Sequence, residues 1–486
     1  MPENAWAVVN VKVVSTIFKS SHAPSKRSGG RINEAANNYE QPVDDPTPEK
    51  TRYRAINNSE MKKFFTAPVL VLTVVLTLLA GIAALNFTTG EKTIDQSVER
   101  LYAAADPAFE RAMGVLLGPT VLQGNRVEVL LNGDRIFPAM LGAIRSAKKN
   151  ITFESYIYWS EAIGKEFADA LAERARAGVK VHVLLDWVGS NKMDPAHHVA
   201  MEAAGVEVRK FHKPAWYSLA RMNNRTHRKV LVIDGRVGFT GGVGIADLWT
   251  GDAQNPQHWR DTHFKVEGPV VAQMQAVFLD NWIKTTGVVL HGDNYFPALA
   301  VAGSDAAQMF SSSPASGSES MHLMYLLAIT AAQHTIHLSS AYFVPDKLSS
   351  QALVAALERG VKVQIIVPGE HSDAAVVQSA SRARWGELLA AGAEIYEYQP
   401  TMYHCKVLVI DSLMVSVGST NFDTRSFRLN DEANLNIYAA DFARRQVDVF
   451  NADLSRSRRI SFNEWQQRPL SKKFLEHAAS LIGSQL

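Results

Sequence analysis

One pattern occurs twice in this chain and limits what it can be. From His227 the sequence runs His-Arg-Lys-Val-Leu-Val-Ile-Asp to Asp234 and on to the small-residue turn Gly241-Gly242. From His404 it runs His-Cys-Lys-Val-Leu-Val-Ile-Asp to Asp411 and on to Gly418-Ser419-Thr420-Asn421. Each copy is His-x-Lys, a strand-like apolar run, an Asp and a turn. Alternate side chains of a strand share a face, so His227 and Lys229 point one way, as do His404 and Lys406. Each copy thus sets an imidazole beside an ammonium. Two copies brought together make a pocket with two proton carriers, either able to act as nucleophile, and two cations, a composition suited to a phosphodiester. A buried His and Lys on an edge strand would explain one copy, but not two with equal spacing and similar flanks.

At these residues the chain resembles the phospholipase D superfamily, whose signature is the doubled motif, and within it the bacterial cardiolipin synthases and related phosphatidyltransferases. The resemblance covers about residues 124 to 460 and takes in Asn421-Phe422-Asp423, Arg425-Ser426-Phe427, Leu429-Asn430, Glu432, Trp259-Arg260-Asp261 and Asn224. It implies a phosphohistidine intermediate, with His227 as nucleophile and His404 as acid and then base, although the near-symmetry of the sequence permits the reverse. It also implies that the carboxylates cross between the copies, Glu432 to His227 and Asp261 to His404, fixing each imidazole's tautomer.

Lys229, Lys406 and Asn421 are expected to stabilise phosphoryl oxygens, supported by Ser419, Gly241, Gly242 and Asn224. Asp234 and Asp411 belong to the motif and count among its catalytic residues, yet each closes an apolar strand and reads as holding neighbouring backbone. Gly244 departs from the family, which commonly has Asn there as the second copy has Asn421, so phosphate contacts should be lopsided. Neither half has Cys, His or carboxylates at metal-ligand spacing, so chemistry without metal or cofactor is expected.

The first copy sits in an alternation of strands (127–131, 151–158, 179–186, 206–211) and helices (136–147, 161–177, 195–204), and segments 336–343, 360–363 and 392–395 repeat the order. The expectation is an α/β chain of two similar halves, 124–290 and 291–486, each a mostly parallel sheet flanked by helices. They should pack about a pseudo-twofold axis with one shared active site. A helix is expected over 268–285 and a turn over 311–320.

Upstream, residues 1–63 are rich in Ser, Asn, Pro and charge and read as a disordered tail, with Met61 a second plausible translation start. Residues 67–87 carry no charge and suffice to span a bilayer, which predicts an N-terminal transmembrane helix over 64–87, a cleaved signal peptide being the main competitor. Lys50, Arg52, Arg54, Lys62 and Lys63 precede it, and only Lys92 and Arg100 follow closely. The positive-inside rule then makes this a single-pass membrane protein with its catalytic region on the extracytoplasmic side. That departs from the two-span, cytoplasmic arrangement of many cardiolipin synthases. Residues 88–123 should form a helical linker, with Ile94, Val98, Leu101 and Tyr102 on one face and Phe109, Met113, Leu116 and Leu117 on another. Trp216, Tyr217 and Leu219, between Lys213 and Arg221, suit a lipid headgroup region.

With 50 basic against 48 acidic residues the chain lacks the charge excess of a nucleic-acid binder, so a nuclease is disfavoured and no nucleic-acid partner is expected. The lone Cys405 excludes an intrachain disulfide and reads as a core residue. The functional expectation is a phosphatidyltransferase acting on a membrane phospholipid, phosphatidylglycerol favoured, with hydrolytic phospholipase D as the alternative. Oligomeric state is not defined by the sequence.

Overall fold

A computed structural model of the chain describes residues 67–86, 94–213, 223–313 and 319–481. The first half contains β1 (Leu122–Leu131), β2 (Asn150–Ser155), β3 (Lys180–Asp186), β4 (Glu207–Phe211), β5 (Arg225–Thr226), β6 (Val230–Ile233), β7 (Val237–Gly241) and β8 (Thr262–Glu267). The second contains β9 (Asp305–Ser312), β10 (Thr335–Ser340), β11 (Phe343–Val344), β12 (Lys362–Pro368), β13 (Glu394–Tyr398), β14 (Lys406–Ile410), β15 (Met414–Gly418), β16 (Phe422–Asp423), β17 (Asn430–Tyr438) and β18 (Ser457–Ile460). The order across the first half is β4-β3-β2-β6-β7-β8-β1, and across the second β13-β12-β10-β14-β15-β17-β9, with β18 outside β13. The two orders correspond strand for strand. Because β9 pairs antiparallel with β1, both halves share one continuous sheet.

Within the two strand orders only β2-β3-β4 and β10-β12-β13, the strands linked through helices, run parallel, beside the short parallel pairs β5–β17 and β11–β16. The pairs β2–β6, β6–β7, β7–β8 and β8–β1, and their counterparts in the second half, are antiparallel. The expected mostly parallel sheet is therefore corrected to a mixed one. The strand–helix alternation that signals parallel pairing ends after β4 and β13; β6 then turns tightly into β7 and β14 into β15, and such turns join only antiparallel neighbours.

The motif aspartates make those turns. Asp234 and Gly235 have φ of 53° and 64°, and Asp411 and Ser412 51° and 53°. The N–H groups of Arg236 and Leu413 donate back to the carbonyls of Ile233 and Ile410 at 2.9 Å. Two successive left-handed residues give the turn whose twist suits a hairpin. The Asp234 carboxylate accepts from the amides of Lys148, Lys149 and Asn150, and Asp411 from those of Gln333, His334 and Thr335. Each aspartate thus ties its hairpin to the start of β2 or β10.

The apolar run of each motif is explained by burial on both faces. Leu231 and Ile233 pack with Ile136, Phe137 and Phe167 of the flanking helices. Val230 and Val232 face the other way, into a core shared with Val407, Val409 and Val417 of the second half and with Val271 and Met274 of the helix Val271–Thr286.

Other expectations change locally. Residues 94–102 form no helix; Leu101 is 75% exposed, and a short segment without an apolar face to cover does not nucleate one. The helix Pro107–Leu117 is present, capped by Asp106. The expected turn over 311–320 overlaps the end of β9. The apolar segment forms the helix Ala67–Asn86, with side chains described from Val69 to Ile82. Among the described residues no helix is long and apolar enough to cross a membrane. The tail over 1–63 and the stretch around Trp216 lie outside the described residues.

Candidate active site

Each histidine is held by the half to which it does not belong. The His227 amide donates to the Asp431 carbonyl at 2.8 Å, continuing the parallel pairing of β5 with β17. The His404 amide donates to the Arg260 carbonyl at 2.8 Å, beside a parallel bridge between Arg260 and Tyr403. Asp431 and Arg260 immediately precede Glu432 and Asp261, so this backbone stitching brings each carboxylate to the opposite half's imidazole. His227 Nδ1 lies 3.0 Å from both Glu432 oxygens, and His404 Nδ1 lies 2.7 Å from Asp261 Oδ2. The two acids are counterparts by register, since Gly241 pairs with His263 and Gly418 with Asn434.

The lysines repeat the symmetry. Lys229 Nζ donates to the His227 carbonyl at 2.8 Å and Lys406 Nζ to the His404 carbonyl at 2.6 Å. Lys406 Nζ also lies 3.1 and 3.2 Å from the His404 ring nitrogens.

Burial governs the protonation of these groups. It pushes the His227 imidazole down to about 4, the opposing pull of Glu432 being insufficient, and it also lowers His404, where Lys406 adds to the effect. Burial takes Lys229 down to about 7 and lowers Lys406. Burial works against the carboxylates too, but His404 and Lys406 outweigh it at Asp261, and His227 and Lys229 at Glu432, holding both below the ordinary range. Near neutral pH the pairs are therefore neutral imidazole and ionised carboxylate. Nδ1–H donates to the acid, and the Nε2 lone pair remains for chemistry.

Both histidines, Lys229 and Asn421 line one cavity of about 300 Å³, together with Tyr156, Arg225, Trp249, Trp259, Asp373 and Arg425. Among the described residues Asn421 Oδ1 has no hydrogen-bond partner. Asp234 and Asp411, expected among the catalytic residues, do not reach this cavity. They lie at the far ends of their strands with their oxygens taken up by backbone amides, so they act on the fold. Asn224 offers its carbonyl to the His212 and Arg225 side chains and is not on the wall.

Residues 140–281 and 325–454 match the family described as cardiolipin synthase, phospholipase D-like domain. The chain belongs to this family. It is 35% identical over 395 residues to the cardiolipin synthase of Geobacillus kaustophilus, covering 80% of this chain and 78% of that one. It is 34% identical over 369 residues to cardiolipin synthase 1 of Bacillus anthracis, covering 74% and 72%. The fold is shared with the phosphatidylserine synthase of Haemophilus influenzae, with a TM-score of 0.62 at 15% identity over 78% of this chain and 100% of that one. The chain is thus a phosphatidyltransferase of the phospholipase D superfamily, with a phospholipid substrate.

Within this cardiolipin synthase-family site the halves differ in how they hold the acid. Glu432 accepts from Ser419 Oγ at 2.5 Å and Asn430 Nδ2 at 3.2 Å. The shorter Asp261 accepts instead from the Trp249 indole at 3.0 Å and the Thr262 amide at 2.8 Å. Gly242 stands where the second copy has Ser419, and a Cβ there would overlap the Asp261 oxygens. A Cβ at Gly244 would meet Ile157 and lie 3.2 Å from the Trp249 ring. The departure from Asn at Gly244 thus makes room for the indole that supports Asp261. At Gly241 φ is 153° and a Cβ would crowd His263, so this turn position also excludes a side chain.

Sequence reasoning missed Trp249, Tyr156, Arg225 and Asp373. Tyr156 follows β2 directly, at the carboxyl end of a strand where ligands gather, and its ring centroid lies 5.2 Å from that of His227. Trp249 was signalled only by the vacancy at Gly244, and Asp373 by nothing in the pattern. Cys405 is a core residue, its thiol pushed up to about 12 by burial. Its counterpart Arg228 is also buried, reaching Asp280 at 2.9 Å and the Glu432 carbonyl at 3.3 Å.

Proposed function

We propose that this protein is a cardiolipin synthase that moves the phosphatidyl group of one phosphatidylglycerol onto the hydroxyl of another through a phosphohistidine. The observation that carries the reading is the pair of histidines on one cavity, each with Nδ1 tied to a buried carboxylate of the opposite half. The negative charge of the bound phosphodiester favours a protonated His404, which takes its proton from solvent as substrate enters; His227 Nε2 then attacks phosphorus and forms a P–N bond as the glycerol oxygen departs with that proton. The neutral His404 then takes the proton of the acceptor hydroxyl, whose oxygen attacks phosphorus and releases His227. Two inversions leave the configuration retained. Lys229, Lys406 and Asn421 supply donors to the phosphoryl oxygens. The assignment of His404 as acid is supported by its shorter carboxylate contact, 2.7 against 3.0 Å, which favours a charged imidazolium. Equal strand orders in the two halves support reading them as related by a pseudo-twofold axis.

Vesicles of phosphatidylglycerol incubated with purified protein should yield cardiolipin and glycerol. Phosphatidic acid as the dominant product would support hydrolysis instead. His227→Ala should abolish the covalent adduct, and His404→Ala should leave an adduct trappable only with an activated leaving group; the opposite pattern reverses the roles.

We further propose, from the uncharged apolar run 67–87 and the basic residues before it in the sequence, a single-pass membrane anchor with an extracytoplasmic catalytic region. Protease added to intact spheroplasts should then cut the catalytic region. Protection alongside a cleaved control would reverse the orientation.

A further inference from the structure

The helix Leu470–Leu481 presents its apolar side outward. Its one carboxylate, Glu476, is 5% exposed and held by Arg468 at 2.8 Å, and Ala479 packs against Val344, Val377 and Ala380. Leu470, Phe474 and Leu475 are 82%, 78% and 63% exposed, the reverse of an ordinary surface helix. Lys472 is exposed among them and Lys473 half-buried. The helix packs on Ala375–Ala383, where Val377, with the preceding Ala374, lines the catalytic cavity, and Val376 is 50% exposed. The outward apolar face is thus joined to one lip of the cavity.

We propose that this face docks on an anionic phospholipid layer, its apolar side chains entering the acyl boundary and its lysines meeting headgroup phosphates, so that the cavity opens against the layer holding its substrate. The inference rests on the lipid-substrate reading above. Lysines beside Leu and Phe match an anionic lipid interface. A second copy of the chain fits less well, because three apolar side chains fall short of the ~800 Å² per partner that a stable dimer buries.

The test uses the full chain reconstituted in phosphatidylglycerol vesicles, beside monomeric short-chain phosphatidylglycerol in solution. The double variant Leu470→Asp, Phe474→Asp should lose about tenfold or more in activity on vesicles through a raised KM for surface lipid. Its turnover of the monomeric lipid should not change. In Phe474→Trp protein, lipids brominated near the headgroup should quench emission beyond the quenching seen in the unmodified chain. Equal losses on both substrates, or no added quenching, overturn the proposal. A blue shift that follows protein concentration instead assigns the face to a second copy. Failure of the lipid-substrate reading shows separately, as no turnover of the monomeric lipid by the unmodified protein.

Discussion

Replacing Asp261 with Asn separates the charge of the carboxylate from its shape. Three donors converge on Asp261: His404 Nδ1 at 2.7 Å and the Trp249 indole at 3.0 Å on Oδ2, and the Thr262 amide at 2.8 Å on Oδ1. A carboxylate accepts all three, whereas a carboxamide has one accepting atom. If that oxygen stays with Thr262, the amide NH₂ faces an indole that only donates, and His404 must move its proton to Nε2. If the oxygen turns to His404, the buried Thr262 amide loses its partner at about 1–3 kcal/mol. In both arrangements the imidazolium needed for leaving-group departure loses its negative neighbour. Removing such a charge beside a proton-transferring imidazole slows turnover about 10⁴-fold, equivalent to about 5.5 kcal/mol of barrier. Phosphatidylglycerol turnover, followed by mass spectrometry, should fall by that order. A p-nitrophenyl phosphodiester expels its leaving group without an acid, so its nitrophenolate burst should fall about tenfold or less. Equal losses on both substrates would refute the assignment of His404 as acid, and native turnover of phosphatidylglycerol would refute any need for the charge.

Gly242→Ala should cut activity at least about a hundredfold while leaving a folded protein, because its Cβ displaces the Asp261 oxygens that orient His404; native kcat would show that the turn yields instead. Asp234→Ala and Asp411→Ala each strip a carboxylate from three backbone amides and should lower stability by about 2–4 kcal/mol in thermal melts. The folded enzyme should keep most of its kcat, and a loss matching that of a histidine variant would place these aspartates in the chemistry. Burial holds His227, His263 and His337 at about 4, below the ordinary 6.5, so the unfolded chain binds more protons between those values. The stability of the unmodified chain relative to a His337→Gln variant should therefore rise with pH from about 4 to 6.5, as read from urea midpoints; a flat or falling difference across that window would contradict the neutral assignment. Activity should survive exhaustive chelation, and restoration by a divalent ion after loss would overturn metal-independent chemistry.

The chemistry of this protein was legible in its sequence because it is written in a repeated local pattern. His-x-Lys spacing sets side-chain direction within one strand, and the family resemblance paired Glu432 with His227 and Asp261 with His404, as the hydrogen bonds have them. The joining of the halves was not legible. Strand β9 reads Asp-Ala-Ala-Gln-Met-Phe-Ser-Ser, is covered on both faces, and so shows no alternation, while its partner β1 lies far away in the chain. Antiparallel returns after β4 leave no periodic trace beyond the turn at Asp234. Trp249 was hidden for a different reason: its role depends on space left by Gly244, and an absent side chain is visible only in three dimensions.

The crossed pairing of acids and imidazoles has a hereditary consequence. A lesion at His227 and one at Glu432 strike the same chemical role although one falls in each repeat, so the second should add little to the first. Lesions at His227 and Asp261, neighbours within one repeat, strike different roles, the nucleophile and the acid that orients His404. Epistasis in this gene should therefore run between the repeats rather than within them. A change that displaces the acid in either copy disables the histidine of the other, so a lesion in one repeat is felt in its neighbour.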